Sequence, residues 1–157
     1  MKKYEIKLLE TIKQLNGILN NVNSESTIKL ISNELFGYGK DLPAYRILDY
    51  DLIIDYEDLT LNSRIQNYQA NQQFFNNNLD LKQFDRLYIF TGLNNMKHNM
   101  KNILKVELSN AEIEILNLNL NNKKIIKAHH VISYQNFSVF MDNIVNQFKN
   151  ISNQTIL

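Results

Sequence analysis

The stretch Tyr45–Gln66, YRILDYDLIIDYEDLTLNSRIQ, decides the fold. Apolar and polar residues alternate along it with a period of two, the mark of strands with one buried face rather than of a helix. A two-residue connection at Glu57-Asp58 sets Tyr56 opposite Leu59, Ile54 opposite Leu61, Leu52 opposite Ser63 and Tyr50 opposite Ile65. One face of this hairpin is then Tyr50, Leu52, Ile54, Tyr56, Leu59, Leu61, Ser63 and Ile65. The other is Asp51, Ile53, Asp55, Thr60, Asn62 and Arg64. Slipping either strand by one residue mixes the faces, so the pattern selects the register. Glu-Asp is a poor primed turn, which leaves a longer loop open.

Working outward, Tyr4, Leu8, Ile12, Leu15 and Leu19 recur at three or four residues and predict a leading helix, weakened near its end by Gly17. Ser24 or Ser26 caps a second helix with Ile28, Ile31 and Leu35 on its buried face, and Gly37 and Gly39 stop it. Pro43 falls in the loop before the first strand, where its missing donor costs nothing. After the hairpin, Ile65, Tyr68, Phe75 and Leu79 lie along one side of a predicted helix. Arg86–Thr91 (RLYIFT) reads as a buried strand closed by Gly92. Asn95–Leu108 returns to helical spacing through Met96, Met100, Ile103 and Leu104, with methionine as core filler.

Glu112–Leu120 reads as a strand whose alternation changes phase between Ile115 and Leu116, which implies a bulge or burial on both faces. Asn121-Asn122 turns it into a further strand at Lys123–Val131. The last helix, Ser138–Phe148, is built on Phe137, Phe140, Met141, Ile144 and Phe148, and residues 151–157 read as a frayed polar tail. This order predicts an α/β fold: a central mixed β-sheet of about five strands, helices on both faces, two helices leading. All of it fits one domain over 1–157.

Composition removes several classes of function. With no cysteine, disulfides, thiolate metal sites and cysteine catalysis are excluded, and a reducing compartment is permitted. No run approaches the roughly 18 apolar residues of a membrane span, and the start MKKYEIKLLETIKQL carries charge throughout. A cytoplasmic protein without membrane partner is therefore expected. A formal net charge of +1, with both signs interspersed, disfavours binding that relies on neutralising phosphates. Four glycines form no phosphate cradle or dinucleotide fingerprint. Asparagine runs such as Asn76-Asn77-Asn78 suit tolerant surface positions in an AT-rich gene better than an adhesive polar tract.

Three constellations carry chemical hints. The helix at Thr27–Phe36, the strand headed by Asp51 and the following Asn62-Ser63-Arg64 together resemble the core of the restriction-endonuclease-like fold, over roughly Thr27–Leu120. That resemblance implies Asp51 as the strand-head acid, Asn62 and Arg64 in the place of an acid-x-Lys pair, and Mg²⁺ held at Asp51 with Asp55. The sequence departs from the pattern, because Asn62 supplies only a neutral oxygen and Arg64 cannot lose a proton. The alternative for Asp51 and Arg64 is a cross-strand ion pair. Gly37-Tyr38 followed by Asp49 and Asp51 resembles the minimal nucleotidyltransferase signature, with Tyr38 where that family has serine. Ala128-His129-His130 resembles the opening of HNH-type nucleases, with Asn143 as the one later match and no later histidine. On a strand, one of His129 and His130 faces the core and the other faces out. His98 sits on a polar helix face.

None of the three sets is complete. The class expected is therefore a non-catalytic interaction protein of the immunity, antitoxin or anti-defence sort, binding another macromolecule. Asp49, Asp51, Asp55, Tyr56, Glu57 and Asp58 form the expected partner surface, an acidic and aromatic patch suited to a basic protein. The alternative is a metal-dependent nuclease, intact or decayed, acting on nucleic acid with Mg²⁺ through Asp51 or through His129 and His130. No cofactor is expected otherwise.

Overall fold

The structure is a computed structural model that describes the backbone of residues 1–155 and the side chains up to Lys149. In chain order the elements are α1 (Lys2–Leu19), α2 (Glu25–Phe36), β1 (Ile47–Asp49), β2 (Asp51–Asp58), β3 (Ser63–Ala70), α3 (Leu81–Phe84), β4 (Arg86–Tyr88), α4 (Leu93–Met96), α5 (Met100–Leu104), β5 (Lys105–Glu107), α6 (Asn110–Asn117), β6 (Lys123–Val131) and α7 (Tyr134–Thr155). The frayed tail expected at 151–157 lies, in its side chains and its last two positions, outside the described residues. Within 1–157 the chain forms two compact units interleaved in sequence. One comprises Met1–Leu48, Tyr88–Ile103 and Tyr134–Leu157; the other comprises Asp49–Leu87 and Leu104–Ser133. Strands β1 and β4 pair in a small two-stranded sheet.

The first unit is helical. Leu8, Ile12 and Leu15 of α1, Ile31 and Leu35 of α2, Leu93 and Met96 of α4, and Phe137, Phe140, Met141, Ile144 and Phe148 of α7 are buried. Tyr4 meets Tyr134 and Phe137 edge-on at 5.4 and 5.3 Å, the arrangement that ring quadrupoles favour. Ser24 caps α2 by accepting the Thr27 N–H. Ile28, expected on the buried face, is instead 36% exposed, and Glu34 takes the inward position. Gly37 leaves the helix at φ 115 and bridges to Thr91. A Cβ on Gly92 would stand 2.4 Å from the Gly37 nitrogen, so this close approach admits only glycine.

At the centre of this unit Arg46 and Glu34 are both fully buried. Arg46 Nε and Nη2 reach Glu34 Oε2 at 2.9 and 2.8 Å. Nη1 donates to the carbonyls of Ile89 and Thr91, both at 2.8 Å, and Nη2 donates to the Glu34 carbonyl at 3.1 Å. The hydroxyls of Tyr38 and Tyr45 both donate to Glu34 Oε1. Burial first, then the Glu34 carboxylate, pushes the Tyr38 phenol up to about 12 and the Tyr45 phenol higher still.

The second unit is a four-stranded antiparallel sheet in the order β3-β2-β6-β5. It replaces the single mixed sheet of about five strands expected from the element order. The hairpin exists, but its turn is the four-residue loop Leu59–Asn62 and not Glu57-Asp58. Asp58 pairs with Ser63, Glu57 with Arg64 and Tyr56 with Ile65. Asp58 Oδ1 accepts the N–H groups of Thr60 and Leu61 at 3.0 and 3.1 Å, and Asn62 takes φ 50, a left-handed position that asparagine tolerates. Leu59 and Leu61 thereby leave the core face and are 59% and 73% exposed. The change is by an even number of positions, so Leu52, Ile54 and Tyr56 keep the inward side foreseen for them.

Two other expectations fail for related reasons. The helix foreseen through Ile65, Tyr68, Phe75 and Leu79 is strand β3 followed by a short 3-10 turn, Gln72–Phe74. A bulge at Asn67, φ 54, lets both Ile65 and Tyr68 pair with inward residues of β2, so a spacing of three arises without a helix. The strand foreseen at Glu112–Leu120 is helix α6. Ser109 and Glu112 form a reciprocal capping box, at 3.2 and 3.1 Å, and the change of phase at Leu116 is helical periodicity. Ser109→Ala is expected to cost about 1 kcal/mol in a urea melt.

The RLYIFT run is a strand only over Arg86–Tyr88, with Tyr88 and Phe90 well exposed and Ile89 buried. The helix foreseen over Asn95–Leu108 breaks into the end of α4, α5 and β5. The sheet's core face carries Leu52, Ile54, Tyr56, Ala70, Ile125 and Ala128 against Phe75, Leu81 of α3 and Leu116 of α6.

Candidate functional site

The pairing of β2, β6 and β5 sets one row of residues on the face opposite the core. His129 stands between Ile53 and Glu107, Lys127 is opposite Asp55, and Val131 lies between Asp51 and Lys105. A cleft of ≈ 450 Å³ opens on this face, lined by Asp55, Asn67, Lys105, Glu107, Lys127 and His129, with Asn110 and Ile113 of α6 at its rim. It forms because β5 is only three residues long, so the rest of the β6 edge lies beside α6 instead of a strand. Asn117 stands in for the missing partner: its side chain accepts the Ile125 N–H at 2.7 Å and donates to the Ile125 carbonyl at 3.2 Å. A second cleft of ≈ 490 Å³, lined by Glu57, Arg64, Glu114 and Lys124, shares Asn110, Ile113 and Ile126 with the first.

Charges alternate across this surface. Asp55 Oδ1 accepts the Asn67 N–H at 2.9 Å, and Lys105 Nζ stands 3.6 Å from Glu107 Oε1. Burial, and after it the neighbouring Lys105 ammonium, holds the His129 imidazole below its ordinary range, with Glu107 and Asp55 opposing. The ring is therefore mostly neutral at pH 7 and can take or hold a proton.

His130 faces the core, 2% exposed, with Nε2 3.0 Å from Asp85 Oδ1 and its ring 5.6 Å from Phe84. Burial raises the Asp85 carboxyl, His130 opposes that, and the nearby Asp51 and Asp49 raise it further. The core-facing histidine thus has a carboxylate partner in place of the carbonyl that is commoner for a buried ring.

The residues of the nuclease resemblance are dispersed. Asp51 is opposite Val131, Arg64 is opposite Glu57, and Asn62 lies in the turn. Asp51 and Arg64 therefore form no cross-strand pair. Asp51 and Asp55 sit four residues apart on one strand, about 13 Å at strand rise, too far to share one ion. Among the described residues no group of three or more His, Asp or Glu could hold a metal. Asp49 ends β1 while Asp51 begins β2, with Tyr50 buried between them, and Asp49 pairs loosely with Arg86 at 3.7 Å. Tyr38 is engaged with Glu34. Asn143 belongs to α7 in the other unit, and His98 is exposed.

The expected acidic patch also changes character. Tyr56 is 8% exposed and packs on Phe74 and Tyr68, so it presents nothing to a partner. Asp58 spends its carboxylate on the loop. Glu57 has Arg64 on one side and Lys124 on the other, and Lys123 is opposite Asp58. The surface is a mixed-charge one. Lys105, Glu107, Lys124 and Lys127 belong to it and were not foreseen, although Lys105-x-Glu107 and Lys127-x-His129 carry the strand alternation that places each pair on one face.

Fold and site together define a small α/β protein with a polar, mixed-charge cleft on an antiparallel sheet. No helix among the described residues is long and apolar enough to cross a membrane. The chain belongs to the AbiTii family, which it matches over residues 6–152, nearly its whole length. This places it with proteins associated with abortive infection and anti-phage defence, in coarse agreement with the conflict-related role expected. Neither a curated protein nor a solved structure matches it.

Proposed function

We propose that this chain serves phage defence as a non-catalytic binding component that docks a partner protein along the mixed-charge face of β2, β6 and α6. The observation that carries this reading is the facing of unlike charges across that sheet: Asp55 with Lys127, Glu57 with Lys124 and Arg64. Alternating fixed charge confers specificity and register on a docking partner more than raw affinity. A partner with its own alternating charges fits such a surface better than a uniformly basic one. The family's association with defence supplies the context, and the dispersal of Asp51, Asn62 and Arg64 weakens the nuclease alternative.

The test is a plating assay on cells carrying the protein. Lys124→Glu combined with Glu57→Lys keeps the net charge and inverts the pattern. It is expected to weaken partner binding by at least about tenfold, roughly 1.4 kcal/mol, and to restore phage plating. Unchanged protection would refute the docking face. In a parallel arm, purified protein is incubated with plasmid and oligonucleotides in Mg²⁺ or Mn²⁺. Cleavage that vanishes in Asp51→Ala would replace this proposal with the nuclease alternative.

A further inference from the structure

The cleft beside His129 holds more donor capacity than it spends. Its two acids are partly committed, Asp55 to the Asn67 N–H and Glu107 to Lys105. The Lys127 ammonium, the His129 ring and the Asn110 side chain make no hydrogen bond or ion pair among the described residues. Lys127 and His129 lie two apart on β6 and so project from the same face, while Lys105 reaches it from β5. Two ammonium groups and an imidazole converging on one concavity suit a phosphate, which accepts several hydrogen bonds and takes lysine as a point charge. The remaining oxygens of Asp55 and Glu107 are acceptors and suit hydroxyl or amino donors on the body that carries it. A volume of ≈ 450 Å³ is that of a small-molecule site and not of a bare ion.

We infer that this cleft binds a small phosphorylated ligand with a hydroxyl-bearing body, its phosphate at Lys127, His129 and Lys105 and its hydroxyls at Asp55 and Glu107. A mononucleotide and a sugar phosphate share that chemistry. The cleft shares Asp55 and Lys127 with the docking face, but the inference concerns a small ligand, and its test reads binding directly rather than phage protection.

The test is titration calorimetry on the full chain with four probes: AMP, ribose 5-phosphate, adenosine and inorganic phosphate. AMP, ribose 5-phosphate or both are expected to bind at least about tenfold more tightly than inorganic phosphate, with adenosine not binding. Binding of AMP alone assigns the body as a nucleoside, and equal binding of both assigns it as the sugar. Lys127→Ala, at an exposed position that leaves the core intact, is expected to weaken the best probe by at least about tenfold, and Lys149→Ala to leave it unchanged. Three results would overturn the inference: no binding of any phosphorylated probe at millimolar concentration, indifference to Lys127→Ala, or inorganic phosphate binding as tightly as the best probe, which marks an adventitious ion only.

Discussion

Arg46→Ala is expected to destabilise the protein by about 3–5 kcal/mol, measured as a fall in the urea midpoint followed by circular dichroism. A domain of this size has roughly 5–15 kcal/mol in total, so about a fifth or more would go. The magnitude follows from what the substitution strands. Arg46 is fully buried and all its N–H groups are matched, to the Glu34 carboxylate and to the carbonyls of Glu34, Ile89 and Thr91. Its ring-facing side is closed by Tyr38 at 4.9 Å and Phe140 at 5.7 Å. Removing it leaves a carboxylate without a counter-charge and carbonyls without donors, in a place water does not reach. The pair itself is a different matter, since desolvating two charges offsets most of their attraction. Arg46→Met with Glu34→Leu should therefore be less damaging than Arg46→Ala alone. It should still fall below the parent, by about 1–3 kcal/mol, because the buried Ile89 carbonyl is left without its donor. A loss below about 1 kcal/mol in Arg46→Ala would mean that the cluster is wet.

The helical periodicities of α1 and α7 and the inward set of β2 were legible because each depends on spacing within one element. What failed depended on a residue that breaks spacing. Asn67 and Ile126 each add one residue to a strand, and from that point the parity of every later side chain reverses. Ser109-x-x-Glu112 is a capping-box signature, but the short apolar run behind it fits a buried strand as well as a helix. The division into two units left no trace because the chain passes between them four times with no linker composition at any crossing. Glu34 and Arg46 are twelve residues apart, and nothing local marks a charged pair as buried. The cleft was half legible: Asp55 and His129 were singled out, whereas Lys105 and Lys127 are ordinary surface lysines until β5 is known to pair with β6.

His130→Ala is expected to cost about 3 kcal/mol and His129→Ala to stay within about 0.5 kcal/mol, read from paired thermal melts. The sequence required only that the two rings face opposite ways. Counting inward from Ile125 with strict alternation makes His129 the core residue; the extra residue at Ile126 makes it His130. Truncating His130 opens a cavity beside Phe84 and leaves the half-buried Asp85 carboxyl without its partner at 3.0 Å, next to two further aspartates. Truncating His129 removes a half-buried ring that makes no hydrogen bond among the described residues and lies against solvent. The comparison isolates the register of β6 from everything built on it. If His129→Ala proved the more damaging, the bulge would be misplaced. Lys127 would then turn toward the core, and the mixed-charge face and the phosphate cleft, both of which need Lys127 and His129 on the open side, would disappear together.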